Sequence, residues 1–362
     1  MSGTAENARD KGDGDLKEMI VTLKPNANHE HVKQALADLG LWARRLDGNR
    51  SGSVFLISPG SRTVSEAALL AIEGVLDVAR APSAHPRVDA MPKSLTLGRT
   101  PLGRGHRPVV ISGPCSLESA EQTDEMAATL SSMGVEILRG GAFKPRTSPY
   151  DFHGHGTTAL SWMRQAADRY GMAVVTEALA SEHVPAVAEV ADLIQIGSRN
   201  MHNYALLRDA SQAGRPILLK RGMAATLEEW LSAGEHCLVH GAPGVVFCER
   251  GVRGFDSATR NVLDLATVAI LSEVHSLPVI VDPSHAAGRR DIIAPLSRAA
   301  VAVGAAGLLI ECHARPGRAL SDGPQALPPQ ELASLLDDLE IHGGPRWNAV
   351  RELPPNQREG AR

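Results

Sequence analysis

Aromatic side chains are scarce, with four Trp, three Tyr and five Phe in 362 residues. The chain also carries 37 Lys+Arg against 41 Asp+Glu, a formal net charge of -4. It therefore has neither the stacking platforms nor the basic footprint of a nucleic-acid binder, and no nucleic-acid partner is expected. Long apolar runs are missing as well. None approaches the roughly 18 uninterrupted residues of a membrane span, and the opening MSGTAENARDKGDGDLK lacks the basic start and apolar stretch of a secretory signal. No membrane contact is expected, and the expected location is cytoplasmic. Cysteine is sparse too: Cys115, Cys237, Cys248 and Cys312 lie far apart, which argues against a disulfide framework and for reduced thiols, buried or liganding.

What is present is the balance of a chain that buries a full core, 43% hydrophobic and 22% charged. The length suits two domains, or one large barrel with an added module. Residues 1–16 are polar and rich in Gly and Asp, the composition of a disordered tail. Residues 17–80 alternate apolar segments with turn signals in the order strand (Met19 to Leu23), helix (about Glu30 to Leu39), strands (Trp42 to Leu46 and Ser53 to Ile57), helix (Val64 to Ile72), strand (Val75 to Ala79). This βαββαβ order predicts a small α+β, ferredoxin-like domain. A Pro-punctuated stretch, 81–105, reads as a linker with room for a short strand or helix.

From residue 106 to about 340 the pattern changes to short apolar runs, each followed by a helix-length amphipathic segment. The runs are Pro108 to Ser112, Glu136 to Leu138, Ala173 to Val175, Leu193 to Ile196, Pro216 to Leu219, Val245 to Phe247, Pro278 to Val281 and Gly307 to Ile310. Eight of them predict an α/β chain closing as a (β/α)8 TIM barrel, with an open doubly wound sheet as the alternative. The placement of the chemistry favours the barrel. Each run ends in polar or glycine-rich residues (GPCSLES, RGGAFKPRTSPY, TEAL, GSRN, KRG, CERG, DPSHAAG, ECH), which a barrel gathers at its C-terminal mouth. Residues 341–362 match no pattern and are expected to be a mobile tail.

Counted at those strand ends, the cations are Arg139, Lys144, Arg146, Arg199, Lys220, Arg221, Arg250 and Arg253. Taken singly, an Arg at a strand end is usually a solvated or ion-paired surface residue. Eight together in a net-negative chain imply anionic ligands with more than one phosphate or carboxylate, because guanidinium forks match those oxygens. A second set, Cys115, His285, Glu311 and Asp322, mixes thiolate, imidazole and carboxylates and suits Mn, Fe, Co or Zn over Mg or Ca. Singly, Cys115 reads as a small buried hydrophobe and His285 as a hydrogen-bonded loop residue. Strands one, seven and eight are neighbours in a closed ring, and that brings the four together. Cys237 and Cys312 are expected to be structural.

The motifs Gly113-Pro114-Cys115-Ser116, Arg139 to Tyr150 (RGGAFKPRTSPY), Gln195 to Asn200 (QIGSRN), Asp282-Pro283-Ser284-His285 and Ser321 to Gln325 (SDGPQ) closely resemble the 3-deoxy-D-arabino-heptulosonate 7-phosphate (DAHP) synthases, type I beta subfamily, over roughly residues 107 to 336. The N-terminal segment is similar, more weakly, to the ferredoxin-like regulatory domain of some members. The resemblance implies a metal-dependent transferase, a 3-deoxy-7-phosphoheptulonate synthase. It would condense phosphoenolpyruvate with erythrose 4-phosphate in the first step of the shikimate pathway, toward aromatic amino acids. It implies one divalent metal ion on Cys115, His285, Glu311 and Asp322, with phosphoenolpyruvate held by Arg139, Arg199, Lys220 and Arg250. Lys144 would sit between the substrates as a catalytic residue. Arg146, Thr147 and Ser148 would take the erythrose phosphate, and Asp282 would contact the aldose hydroxyls near the metal. It further implies a homotetramer and an aromatic amino acid effector such as Tyr or Phe.

Three positions depart from the family pattern: Ser198 where Ala is frequent, His153 where Gln is usual and Ala314 where Pro commonly follows the His. His153 neighbours the erythrose phosphate loop and bears on acceptor preference. Competing readings are a 3-deoxy-D-manno-octulosonate 8-phosphate synthase, a paralogue using a modified aldose phosphate, and a catalytically silent metabolite sensor. The first typically has Lys-Ala-Asn-Arg where this chain has Lys144-Pro145-Arg146-Thr147. The last would tolerate loss of Cys115 or His285, and both are present.

Overall fold

The computed structural model describes residues 19–48, 52–57, 64–80, 83–144, 148, 150 and 152–339. The expected tails, 1–16 and 341–362, lie outside these described residues, as do Arg146 and Thr147 of the predicted phosphate loop. The chain divides into two compact units, Met1–Pro86 and Arg87–Arg362.

The first unit is built from β1 (Met19–Leu23), α1 (His29–Asp38), β2 (Ala43–Gly48), β3 (Gly52–Ile57), α2 (Glu66–Leu70) and β4 (Val75–Arg80). Its four strands pair antiparallel in the order β2-β3-β1-β4, the ferredoxin-like plan. Period-two alternation sends Met19, Val21 and Leu23 to one buried face, where Phe55 and Ile57 meet them from β3. Val32 and Leu36, one helical turn apart on α1, close that core. Each helix starts where a side chain satisfies an otherwise free backbone donor: Asn28 Oδ1 accepts from His31 N at 3.1 Å, and Ser65 Oγ from Ala68 N at 3.3 Å.

The second unit opens with α3 (Pro86–Ala90) and an antiparallel hairpin, β5 (Ser94–Leu97) and β6 (Thr100–Gly103). The sequence suggested a linker here. Its Pro and Gly content instead serves a helix start and a tight turn, with Gly98 at φ +59° between the two strands. The first amides of α3, Arg87 N and Val88 N, donate to the Glu235 carboxylate at 3.0 and 2.9 Å. Leu97 and Leu102 are buried in one cluster with Val109, Ile137, Ala173 and Leu193 from the N-terminal ends of the barrel strands. The hairpin thus closes the bottom of the barrel.

The barrel itself is a closed ring of eight parallel strands in chain order: β7 (Val109–Gly113), β8 (Ile137–Arg139), β9 (Ala173–Glu177), β10 (Leu193–Ile196), β11 (Ile217–Lys220), β12 (Val245–Glu249), β13 (Val279–Val281) and β14 (Gly307–Glu311). Between and after them run α4 (Ala120–Ser132), α5 (Thr157–Tyr170), α6 (Val184–Val190), α7 (Tyr204–Gln212), α8 (Leu227–Val239), α9 (Leu265–Ala269), α10 (Pro283–Ala287), α11 (Ile293–Ala302) and α12 (Pro329–Asp338). Alternation along each strand separates two cores. Ile137, Leu218, Cys248, Ile280 and Leu309 point inward, while Leu138, Leu219, Phe247, Val281 and Ile310 pack outward against the helices. Extending the inward rows to the C-terminal mouth places Arg139, Lys220, Arg250, Asp282 and Glu311 inside. No described helix is long and apolar enough to cross a membrane.

Candidate active site

At the mouth lies a cavity of about 480 Å³. Seven cations line it: Arg139, Lys144, Arg199, Lys220, Arg250, Arg253 and Arg260. Cys115, His285 and Asp322 share the wall, together with Glu177 and Gln195 from the inward rows of β9 and β10. The buried cations form its floor, since Arg139, Lys220 and Arg250 are 5%, 4% and 7% exposed, whereas Arg199, Arg253 and Arg260 are exposed at the rim.

Two of the three floor charges, Lys220 and Arg139, are held by buried carboxylates. Lys220 Nζ donates to Asp282 Oδ2 at 2.5 Å, and Arg139 Nη1 donates to Glu311 Oε1 at 3.2 Å and to the Pro114 carbonyl at 2.8 Å. Asp282 also accepts from the His285 backbone N at 2.9 Å, and its Oδ2 lies 2.7 Å from His285 Nδ1. Burial would raise the Asp282 carboxyl, but His285 and Lys220 outweigh it and hold the group well below the usual carboxylate range.

Cys115 Sγ, a Glu311 oxygen and an Asp322 oxygen lie within 4.8 Å of one another. His285 Nε2 stands 3.2 Å from Glu311 Oε1. The thiol donates to Asp322 Oδ2 at 3.1 Å and takes a contact from Lys144 Nζ at 3.2 Å. Burial pushes the Cys115 thiol up to about 11, with Lys144 pulling against it. Asp322 is lowered: burial opposes ionisation, but the Cys115 hydrogen bond and the charges of His285, Arg260 and Lys144 prevail. This donor set fits a divalent transition ion, because a thiol and two carboxylates cluster together and the His285 imidazole stands beside one of those carboxylates. The Asp282 contact at Nδ1 also turns His285 Nε2 toward it.

Of the residues expected from sequence, Cys115, Arg139, Lys144, Arg199, Lys220, Arg250, Arg253, His285 and Asp322 line this one cavity, and Asp282 and Glu311 are buried against it. Two of the expected residues do not line the cavity. Arg221 faces away from the cavity. It follows Lys220 by one residue, so alternation turns it outward, where its Nη1 meets Glu249 Oε2 at 3.0 Å and Asp264 Oδ2 at 2.8 Å, with Trp230 beneath the guanidinium. Ser148 is half-buried and accepts from Tyr150 N at 3.2 Å, but it is not among the cavity residues. Sequence reasoning missed Glu177, Gln195, Asn261 and Arg260. Alternation already pointed Glu177 and Gln195 inward. Arg260 and Asn261 come from a long loop that carries no such signal.

Around the start of the predicted phosphate loop, Phe143 stacks on His183 with ring centroids 3.8 Å apart and planes 9° from parallel. Lys144 N donates to the His153 carbonyl at 2.8 Å. The backbone turns that deliver Cys115 need glycine at Gly113, whose φ is +152° and where a Cβ would collide with the Arg139 carbonyl.

Residues 89–341 match the model of the DAHP synthetase I family. A phospho-2-dehydro-3-deoxyheptonate aldolase of Thermotoga maritima is 42% identical over 328 residues, covering 89% of this chain and 97% of that protein. A 2-dehydro-3-deoxyphosphooctonate aldolase of Magnetococcus marinus is 30% identical, covering 69% of this chain and 92% of that protein. A crystal structure of the Thermotoga maritima DAHP synthase superposes with a TM-score of 0.71 at 40% identity, covering 92% of this chain and 98% of that one. The chain belongs to the DAHP synthetase I family, and its enzyme class is that of a 3-deoxy-7-phosphoheptulonate synthase, a transferase.

Proposed function

We propose that the chain condenses phosphoenolpyruvate with D-erythrose 4-phosphate to give DAHP and inorganic phosphate, using one divalent ion (Mn, Fe, Co or Zn) held by Cys115, His285, Glu311 and Asp322. The observation that carries this reading is a single cavity in which a thiol, imidazole and carboxylate cluster adjoins seven cations. Two phosphorylated substrates repel each other, and fixed guanidinium and ammonium groups offset that repulsion while they orient both. On this reading Arg139, Arg199, Lys220 and Arg250 bind the phosphate and carboxylate of phosphoenolpyruvate. Arg146, Thr147 and Ser148 receive the aldose phosphate.

On this reading C3 of phosphoenolpyruvate forms the new bond to the aldehyde carbon with the electron pair of its C2–C3 double bond, and the aldehyde oxygen takes a proton from Lys144 Nζ. Water adds its oxygen to the electron-poor C2 and gives one proton back to Lys144; the bond from C2 to the phosphate's bridging oxygen then breaks as the new C2 hydroxyl becomes the ketone, and its remaining proton leaves with the phosphate. When bound, the ion supplies Lewis acidity toward a carbonyl oxygen. Asp282 holds Lys220 and His285 in place through its two oxygens, and on this reading it also contacts the aldose hydroxyls. The test is a phosphate-release assay with phosphoenolpyruvate, Mn2+ and a panel of aldose phosphates. Turnover with erythrose 4-phosphate is expected. Preference for arabinose 5-phosphate would move the assignment to octulosonate 8-phosphate synthesis, and no release with any aldose would favour a metabolite sensor.

A further inference from the structure

The cavity carries more positive charge than the two condensing substrates use on the proposed assignment. Arg253 and Arg260 have no part in it. Both lie on the loop after β12, and that loop is clamped in a shape that presents them. Val252 and Val262 form an antiparallel bridge, with N to O distances of 2.9 and 2.8 Å. Arg253 N donates to the Met223 carbonyl at 2.7 Å, which ties the arm to the loop after β11. Asn261, buried beside them, accepts from Arg250 Nη1 at 2.8 Å through its side-chain oxygen and donates its amide to the Arg260 carbonyl at 3.3 Å.

Both guanidiniums line the cavity. That of Arg253 makes no hydrogen bond or ion pair with any described residue, and that of Arg260 reaches Asp322 Oδ1 at 3.5 Å. Arg250, buried on the floor, lines the same cavity. The loop thus presents an unpaired guanidinium and a weakly paired one to a cavity already lined by cations. An entering oxyanion would partner them, and planar guanidinium forks are shaped for phosphate.

We propose that Arg253 and Arg260 form a second oxyanion subsite at the rim of the cavity. It would take a phosphate dianion: the phosphate set free in the reaction or, in place of the Arg146, Thr147 and Ser148 assignment, that of the aldose. The proposal rests on the functional reading above, since it takes the floor cations to be filled by phosphoenolpyruvate.

Inorganic phosphate is titrated calorimetrically into the full chain saturated with phosphoenolpyruvate, for the unaltered protein, Arg253→Gln and Arg253→Lys. The same proteins are assayed for the KM of the aldose phosphate and for inhibition by phosphate. Arg253→Gln is expected to weaken one of these phosphate interactions by about tenfold or more, the loss of a charge-assisted contact, with Arg253→Lys recovering part of it. Weakened inorganic phosphate with the aldose KM within about twofold identifies the released phosphate as occupant, and a raised aldose KM identifies the substrate's own phosphate. Unchanged phosphate binding together with unchanged aldose KM overturns the subsite. Failure of the unaltered protein to bind phosphoenolpyruvate overturns the functional reading instead, and the same comparison of phosphate binding, made without phosphoenolpyruvate, then decides the subsite by itself.

Discussion

Cys115 is buried, and that burial decides what its thiol must do before it can hold an ion. With its thiol pushed up to about 11 by burial, it is protonated at neutral pH and must lose that proton to bind an ion as thiolate. Ion affinity should therefore rise with pH, by up to about tenfold per unit below that value, and fall in acid. Titrating Mn2+ in two buffers of different ionisation enthalpy should reveal about one proton released from the thiol, and Cys115→Ala should abolish that release along with binding. Arg250, on the cavity floor, makes a different prediction. Arg250→Ala should raise the KM for phosphoenolpyruvate by about tenfold or more with a smaller effect on that for the aldose phosphate, because a lost contact costs its own ligand most. Asp282 carries a stability signature. Its carboxyl is lowered on folding, so its contribution is present above the unfolded carboxyl range near about 3.9 and is lost as pH falls through the lower folded value. Acid unfolding of Asp282→Asn, compared with the unaltered protein, should have a shallower pH dependence in that window.

At the scale of elements, β11 and β12 are braced by the outward residues that follow their inward ones. Arg221 and Glu249 form a buried pair that Asp264 extends to the start of α9, where the same carboxylate accepts from Thr267 N at 3.0 Å. Glu249 Oε1 also accepts from Gly251 N at 2.7 Å, which fixes the turn carrying Arg250. Removing one partner leaves the other charge buried, so Arg221→Met should cost about 3–5 kcal/mol. Arg221→Met with Glu249→Leu should cost less than the sum of the two, in urea unfolding of all four members of the cycle. This pair also marks where reading the sequence stopped short. The strands were legible because their apolar runs are bounded by turn residues, and the βαββαβ segment because its faces alternate. The site motifs were legible because they sit at strand ends. Lys220 and Arg221 look equivalent as letters, yet period-two geometry allows one of them into the cavity and turns the other out. The hairpin of β5 and β6 was hidden for another reason: its strands are four residues each, and Pro92, Gly98, Pro101 and Gly103 read as linker composition.

For the whole molecule, the boundary near Pro86 predicts that the two units can be parted. A chain beginning at Arg87 keeps α3 but for its first residue, keeps the hairpin, and should remain folded and active in the phosphate-release assay. One beginning at residue 106 loses Leu97 and Leu102 from the barrel's inner core and should unfold at markedly lower temperature or aggregate, since burying each such leucine contributes about 1.5–3 kcal/mol. If the βαββαβ unit is a regulatory domain for an aromatic amino acid, the chain beginning at Arg87 should also lose any inhibition by Tyr or Phe seen in the full chain. Inhibition and thermal stabilisation of the full chain should then appear at the same effector concentrations, because a ligand shifts an equilibrium only through differential affinity.

The hairpin beneath the barrel has a kinetic corollary. A vessel stoppered at one end has a single doorway, so molecules that share it must queue. The ligand whose partners are the buried Arg139, Lys220 and Arg250 has to go in ahead of the one served by the exposed rim, and its remnant comes out behind. On the assignment proposed above, binding is expected to be sequential and ordered, with phosphoenolpyruvate first. In a product-inhibition series the rim ligand should be unable to bind productively to the empty protein. Random entry of the two substrates would mean that the doorway is wider than its lining suggests.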